Sequence, residues 1–231
     1  MSSKTREPAN FIDHTLLGPT ATAKEIEVLC QEAKDYRFHA VCVNPCYVNL
    51  AAEALKESDV KVCSVVGFPL GANTKSQKLS EAEECLFNGA KEIDVVIALG
   101  AIKSGNWRYV EEELSALRLL IKEHSILKVI METGLLKESE LVRACIIAKD
   151  LELDFVKTST GFSGEGATVE KVALMKKTVG PRVGVKASGG IRNWPQMQAM
   201  LKAGATRIGT SGGVAIMEEL KVESIKRQAS S

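Results

Sequence analysis

The sequence contains 231 residues, of which 45% are hydrophobic and 26% are charged, ordinary proportions for a globular chain with a substantial buried core. Its 30 Lys and Arg residues nearly balance its 29 Asp and Glu residues, so no basic excess indicates a nucleic-acid or anionic-membrane partner. No apolar run reaches the ~18 residues of a membrane span, and the amino-terminal MSSKTREPAN lacks the apolar segment of a signal peptide.

Short runs rich in Val and Ile alternate with longer amphipathic runs along the chain. The strand candidates are Phe11–Thr15, His39–Val43, Lys61–Phe68, Glu92–Ala98, Leu127–Glu132, Asp154–Thr158, Val183–Ala187 and Arg207–Thr210. Between them, Thr22–Tyr36 repeats apolar residues at helical spacing, and Trp107–Glu123 places apolar residues on one face opposite a charged face. The pattern therefore predicts eight strand–helix units.

Strands that alternate with helices imply right-handed βαβ units and a parallel sheet. Eight such units favour a closed barrel over an open sheet, and no G-x-G-x-x-G follows the first strand. We predict an α/β fold, a single (β/α)8 TIM barrel that forms one domain over residues 1–231, with about 1–8 and 228–231 frayed. Chemistry in such barrels lies at the carboxyl ends of the strands, so polar residues at those ends are candidates for function.

The six cysteines form no C-x-x-C pair, and no spacing between cysteines and the three histidines is typical of a metal site. We therefore expect reduced thiols in a cytoplasmic protein and no bound metal. Cys42 points into the predicted barrel by the alternation of the second strand. A small core residue is the favoured interpretation of Cys42, and a reactive thiol near the site is the alternative.

Two lysines end consecutive strand candidates and point to the same side of the sheet. Lys157 shares a face with Phe155, and Lys186 shares a face with Gly184. Only a neutral amine attacks a carbonyl, and loss of solvent or a neighbouring positive charge lowers the pKa of a lysine from its ordinary ~10.4. We predict that Lys157 is a nucleophile that Lys186 activates. The alternative is two strand-end lysines that reach water.

Two carboxylates on strand candidates are predicted to face the barrel interior. Asp94 lies between apolar neighbours on the fourth strand, and a buried carboxylate there needs cations or donors, which the two lysines could supply. Asp94 could move protons for a substrate hydroxyl, or it could form a structural ion pair. Asp13 on the first strand could contact a substrate hydroxyl or cap the following segment, and Thr15 lies beside it.

Three late strands end in turns with many backbone N–H groups. The turns are Thr158-Ser159-Thr160-Gly161, Ser188-Gly189-Gly190 and Gly209-Thr210-Ser211-Gly212-Gly213. Glycine lets the backbone approach a ligand closely, N–H groups at a helix start bind anions, and barrel phosphate sites often use the last two loops. We predict a phosphate site here; turns that serve only chain reversal are the alternative.

Taken together, these segments resemble the deoxyribose-phosphate aldolase family over nearly the whole chain. The segments that carry the resemblance are Ile12-Asp13-His14-Thr15-Leu16-Leu17, Val41-Cys42-Val43-Asn44-Pro45, Val66-Gly67-Phe68-Pro69-Leu70-Gly71, Glu92-Ile93-Asp94-Val95-Val96, Phe155-Val156-Lys157-Thr158-Ser159-Thr160-Gly161-Phe162, Val185-Lys186-Ala187-Ser188-Gly189-Gly190-Ile191-Arg192 and Arg207-Ile208-Gly209-Thr210-Ser211. Single pieces are weak, but their ordered set is highly specific.

The resemblance implies reversible cleavage of 2-deoxy-D-ribose 5-phosphate to acetaldehyde and D-glyceraldehyde 3-phosphate, without a metal or organic cofactor. It implies Lys157 as the Schiff-base lysine, Lys186 as its activator and Asp94 as the proton donor and acceptor. It also implies a homodimer or homotetramer. The predicted substrate contacts are Asp13, Thr15, Cys42, Thr158, Thr160, Gly161, Gly189, Gly190, Gly209, Ser211 and Gly212.

The sequence departs from the family pattern at two places. Some members end in a tyrosine that assists proton transfer, and this tail, Lys226–Ser231, contains none. Phe162 follows Gly161 where some members have a basic residue, which predicts a weaker grip on phosphate. A phosphosugar isomerase, another lysine aldolase and a phosphosugar-binding barrel without catalysis are the alternative functions.

Overall fold

The computed structural model describes residues 7–121 and 125–229. Parallel strands close into a barrel in chain order, and the last strand pairs with the first. The strands are β1 (Ile12–Leu16), β2 (Ala40–Val43), β3 (Lys61–Val66), β4 (Glu92–Val96), β5 (Ile126–Ile130), β6 (Phe155–Lys157), β7 (Gly184–Ser188) and β8 (Arg207–Thr210). The helices are α1 (Ala23–Tyr36), α2 (Val48–Ala54), α3 (Lys75–Phe87), α4 (Leu99–Lys103), α5 (Trp107–Leu120), α6 (Glu138–Asp150), α7 (Val169–Val179), α8 (Trp194–Lys202) and α9 (Gly213–Ala229). The predicted (β/α)8 barrel is confirmed.

The predicted strand ends differ from the structure by one residue in β1, β6 and β7 and by two residues in β3, β4 and β5. The third, fourth and fifth strands end at Val66, Val96 and Ile130, two residues before their predicted ends. Gly67 has φ 61° and Glu132 has φ 51°, left-handed backbone that a strand cannot contain. Residues 122 and 123, the predicted end of the long helix that starts at Trp107, lie outside the described residues.

Side chains along each strand alternate between the layer that packs against the helices and the interior of the barrel. Residues such as Ile93 and Val95 pack outward against the helices in the main hydrophobic core, while Asp94 between them faces into the barrel. A smaller apolar cluster lines part of the barrel interior: Leu17, Ala40, Cys42, Cys63 and Val65. The barrel interior therefore has one apolar side and one charged side.

Capping residues fix where several helices begin. The Thr22 and Thr74 hydroxyls accept hydrogen bonds from backbone N–H groups in the first turns of α1 and α3, and a Glu or Gln three residues later completes each capping box. Asn106, Thr168 and Asn193 cap α5, α7 and α8 in the same way. These caps set the loop lengths between strands and helices.

The ends of the described chain are ordered as helix. Pro8 begins a 3-10 helix that leads into β1, and α9 continues to Ala229. The remaining residues of the predicted frayed ends, 1–6 and 230–231, lie outside the described residues. Within the described ranges, no helix combines the length and apolar character needed to cross a membrane.

Candidate active site

Asp94 is the centre of a cluster of buried charges inside the barrel. Its Oδ2 atom accepts hydrogen bonds from the Nζ atoms of Lys157 and Lys186, each at 2.8 Å. Its Oδ1 atom accepts a hydrogen bond from Lys128 Nζ at 2.7 Å. The structure thus brings together the three residues predicted to carry the chemistry, and both lysine amines bind the same carboxylate oxygen.

The surrounding ammonium groups hold Asp94 in its ionised form. Burial alone raises the pKa of this carboxyl group, but Lys128, Lys157 and Lys186 outweigh burial and hold the pKa well below its ordinary value. The side chain is completely enclosed. The Asp94 carboxylate is therefore ionised and paired with the amines around it.

Lys186 connects Asp94 to a second carboxylate. Its Nζ atom donates a very short hydrogen bond to Asp13 Oδ2, and Arg207 donates to Asp13 Oδ1 at 2.8 Å. Burial lowers the pKa of Lys186, but Asp13 and Asp94 outweigh burial and raise it above its ordinary value. Burial raises the pKa of Asp13, and Lys186 and Arg207 outweigh that effect and lower it. Lys186 is therefore protonated and lies beside Lys157, with Asp94 as their common partner.

Three further charged residues lie one layer deeper, and the sequence analysis missed them. Lys128 Nζ lies 2.6 Å from Glu92 Oε2, and Arg207 Nη1 lies 2.9 Å from the same oxygen. Alternation along β5 carries a signal for Lys128, because it lies between Leu127 and Val129 on a buried strand. Glu92 and Arg207 are the first residues of β4 and β8 and Lys128 is the middle residue of β5, so none of them lies at a strand carboxyl end, where barrel chemistry is expected.

The same interior contains two groups of side chains that could hold a metal among the described residues. They are Cys42 with Cys63 and Asp94, and Asp13 with Cys63 and Glu92. Lys128 Nζ lies between these donors, 3.3 Å from the Cys63 sulfur and within 2.7 Å of oxygens of Asp94 and Glu92. An ammonium group thus already supplies the positive charge that these donors would offer to a metal ion.

A cleft of about 370 Å³ opens above this cluster, at the carboxyl ends of β1, β6, β7 and β8. The predicted site residues that line it are Thr15, Lys157, Thr160, Gly161, Gly189, Gly190, Gly209 and Ser211. Phe162 lines it as well. A second cavity of about 410 Å³ at the opposite end of the barrel contains none of the predicted site residues. The cleft above Asp94 is therefore the candidate site.

The glycine turns that line this cleft carry backbone N–H groups that could bind an anion. Among the described residues, the N–H groups of Gly189, Gly190 and Ser211 have no hydrogen-bond partner. Gly189 and Gly190 have φ of 90° and 82°, values that other residues rarely adopt. An anion in the cleft would find several donors on two neighbouring turns.

Four predicted substrate contacts do not line the cleft. Asp13 is enclosed by its ion pairs, and Cys42 is fully buried in the apolar cluster of the interior. The Thr158 hydroxyl donates to the Ser188 carbonyl, and the Gly212 N–H donates to the Thr210 hydroxyl. Both Asp13 and Thr158 bond to residues that line the cleft: the Asp13 carbonyl accepts a hydrogen bond from the Thr15 hydroxyl, and Thr158 bonds to Ser188.

The fold and the site define a class. The chain is a closed parallel barrel whose polar cleft lies at the carboxyl ends of its strands, with Lys157 in the lining and glycine turns after its last strands. That arrangement is typical of barrel enzymes. Comparison with known proteins identifies the family. The model of the DeoC/LacD family aldolases matches residues 9–218, and the chain belongs to this family.

Named relatives cover nearly the whole chain. A deoxyribose-phosphate aldolase of Caldanaerobacter subterraneus subsp. tengcongensis is 53% identical over 219 residues, which are 94% of this chain and 95% of that protein. One of Geobacillus sp. (strain WCH70) is 56% identical over 210 residues, 91% of this chain and 94% of that protein. The solved structure of deoxyribose phosphate aldolase from Aeropyrum pernix, described as tetrameric, is 37% identical with a TM-score of 0.87 and covers 93% of this chain and 91% of that one.

Proposed function

We propose that this protein reversibly cleaves 2-deoxy-D-ribose 5-phosphate to acetaldehyde and D-glyceraldehyde 3-phosphate through a Schiff base on Lys157. The names of the relatives support the substrate. The position of Lys157 supports its role as the nucleophile. Lys157 lines the cleft and binds the same Asp94 oxygen as Lys186, whereas Lys128 and Lys186 are completely enclosed.

The charges around Lys157 balance without it. The described barrel interior holds three carboxylates and three cations besides this lysine: Asp13, Glu92, Asp94, Lys128, Lys186 and Arg207. If Lys157 gives up its proton, Asp94 still pairs with Lys128 and Lys186. The neutral amine that attacks a carbonyl therefore leaves no buried carboxylate unpaired.

The proposed reaction follows from this arrangement. Neutral Lys157 condenses with C1 of the open-chain sugar, and the cationic imine draws electrons toward nitrogen. Asp94, through Lys186 and water, accepts the C3 hydroxyl proton as the C2–C3 bond breaks and D-glyceraldehyde 3-phosphate leaves. The enamine is then protonated at carbon, and hydrolysis frees acetaldehyde and Lys157. The glycine turns of β7 and β8 would hold the substrate phosphate.

Borohydride trapping tests the proposal. We expect reduction in the presence of acetaldehyde to add one ethyl group to Lys157, located by peptide mass mapping, and Lys157→Ala to abolish the adduct. A chelator should leave trapping unchanged, because no step uses a metal. Lys149→Ala, which changes a lysine near the opposite end of the barrel, is the matched control and should keep the adduct. No adduct, or one scattered over surface lysines, would favour an isomerase or a phosphosugar-binding barrel.

The compartment and the assembly are part of the same proposal. The cysteines among the described residues are free thiols, which suits the reducing cytoplasm.

The tetrameric relative from Aeropyrum pernix supports a homodimer or homotetramer. Light scattering of the purified protein should give two or four times the monomer mass of 24.9 kDa, and a monomer at all concentrations would contradict this.

A further inference from the structure

Glu132 has an unusual position just beyond β5. Its backbone φ is 51°, in the left-handed region that residues other than glycine rarely adopt. Its side chain is only 1% exposed. A buried acidic residue in a strained backbone conformation persists where the surrounding structure holds it, and such positions concentrate at functional sites.

Hydrogen bonds from a single turn surround the Glu132 carboxylate. The Thr160 hydroxyl donates at 2.5 Å, the Thr160 N–H lies 3.2 and 3.3 Å from the two oxygens, and the Ser163 hydroxyl donates at 3.2 Å. No ion pair with Glu132 is present among the described residues. A buried carboxylate without a cation is costly unless donors satisfy it, so Glu132 and this turn depend on each other.

The turn that Glu132 holds forms one wall of the candidate cleft. Thr160, Gly161 and Phe162 line the cleft, and the Phe162 N–H donates to the Thr160 hydroxyl at 3.1 Å. The Thr160 hydroxyl is therefore fixed from two sides. Within the described chain, the Gly161 N–H has no partner, so it remains available to a ligand.

The other side of this turn is joined to the glycine turn of β7. The Ser188 hydroxyl donates to the Ser159 carbonyl at 2.6 Å, and the Ala167 N–H donates to the Gly189 carbonyl at 3.0 Å. Glu132 therefore fixes one edge of a two-turn unit whose other edge carries Gly189 and Gly190. A shift of the Thr160 turn would move both sets of N–H donors, which belong to residues that line the cleft.

We infer that Glu132 is a positioning residue for phosphate binding: its buried carboxylate holds the Thr160–Ser163 turn in the position from which the cleft grips the phosphate of the substrate. This inference rests on the proposed function. Among the described residues, Glu132 bonds to the Thr160–Ser163 turn and Lys157 Nζ bonds to Asp94. We therefore expect Glu132 to affect recognition of the phosphate group and to leave imine formation intact.

Glu132→Gly is the sharpest variant, because glycine accepts the left-handed backbone while the carboxylate is removed. Glu152→Gly is a matched control: Glu152 also has φ 51°, but it lies exposed beyond α6 at the opposite end of the barrel. Glu132→Gln keeps the length and an acceptor for the hydroxyls but sets an amide N–H against the Thr160 N–H, and it should give an intermediate result. It also keeps the test valid if the glycine variant folds poorly.

Kinetics with two sugars separate positioning from a general loss of structure. For Glu132→Gly we expect KM for 2-deoxy-D-ribose 5-phosphate to rise about tenfold with kcat little changed, the size of one lost hydrogen bond to a charged group. The kcat/KM for unphosphorylated 2-deoxy-D-ribose should stay within about threefold of wild type. Glu152→Gly should leave all of these values unchanged.

Binding of inorganic phosphate gives a readout that does not depend on the reaction. Calorimetry should show affinity about tenfold weaker in Glu132→Gly and unchanged in Glu152→Gly. Equal losses on both sugars, or unchanged phosphate affinity, would overturn the role of Glu132. Failure of acetaldehyde trapping in the wild-type protein would instead overturn the proposed function, and the phosphate measurement would still decide the inference.

Discussion

Lys128 is the side chain on which the carboxylates of the barrel interior converge. Its Nζ atom lies 2.6 Å from Glu92, 2.7 Å from Asp94 and 3.8 Å from Asp13. Burial lowers the pKa of Lys128, but Asp94 and Glu92 outweigh burial and raise it well above its ordinary value. Lys128 therefore holds the Oδ1 atom of Asp94, whereas Lys157 and Lys186 bind the Oδ2 atom.

We expect Lys128→Met to destabilise the protein by about 3–5 kcal/mol, because removal of one partner leaves buried carboxylates poorly compensated. The measurement is the free energy of unfolding in urea. Arg182→Met is the control, since Arg182 forms an exposed pair with Glu152 at 3.5 Å and should change little. A stability loss no larger than that of the control would mean that Lys128 is not needed to balance Asp94.

At the scale of single residues, the sequence predicted the cluster of Lys157, Lys186 and Asp94 better than the charged residues that surround this cluster. Alternation and strand ends were enough to place Lys157, Lys186 and Asp94 together. Lys128 lies opposite Asp94 only because β4 and β5 pair in that register. Strand register comes from long-range packing, so a single sequence does not show which interior charges meet. The conformation of Glu132 has the same origin, because the distant Thr160 turn stabilises it.

A further buried ion pair, outside the barrel interior, joins helices α3 and α5. Lys78 Nζ lies 2.8 Å from Glu113 Oε2, and both side chains are fully enclosed. Burial lowers the pKa of Lys78 and raises that of Glu113, and the pair attraction only partly opposes these shifts. The second Glu113 oxygen has no partner among the described residues. The pair therefore fixes how the helices meet and adds little net stability.

A double-mutant cycle tests this view of the helix pair. Either Lys78→Met or Glu113→Leu alone should cost about 3–5 kcal/mol, whereas the double variant should lie within about 2 kcal/mol of wild type in urea unfolding. Lys75 and Glu112 on the same helices form an exposed pair at 3.9 Å, and the same cycle there should show almost no coupling. Additive losses at Lys78 and Glu113 would show that each residue acts through other contacts.

Elements were predictable wherever local signals agreed. Val- and Ile-rich runs and capping residues placed the strands and helices within a few residues. The turns after β3 and β5 were not predictable, because their left-handed residues depend on packing. A Cβ atom at Gly67 would lie 2.9 Å from the buried Lys78 side chain, and Glu132 binds a turn that follows another strand. These two turns belong to the part of the barrel end that carries the site.

The whole molecule encloses a charged layer inside an otherwise apolar barrel, and this layer sets how stability depends on pH. Asp13, Glu92 and Asp94 have pKa values below their ordinary range, because lysine and arginine outweigh the effect of burial. Lys128 and Lys186 have raised pKa values for the matching reason. The three acidic groups stabilise the fold fully above their ordinary pKa of about 4, and the two lysines do so below about 10.

We therefore expect one cooperative unfolding transition whose free energy is nearly constant between about pH 5 and pH 9 and falls steeply below about pH 4. In that acid range the unfolded chain binds protons that the folded interior excludes, so each such carboxylate adds about 1.4 kcal/mol per pH unit to the slope. Asp94→Asn removes one of the three carboxylates, so the acid slope in urea titrations from pH 2.5 to pH 7 should fall by that amount. The raised pKa of Glu113 changes the pH dependence of stability in the opposite direction. It is one group against the three buried carboxylates with lowered pKa values. An unchanged slope in Asp94→Asn would show that the buried layer does not control acid unfolding, and two separate transitions would contradict the proposal that the chain is a single domain.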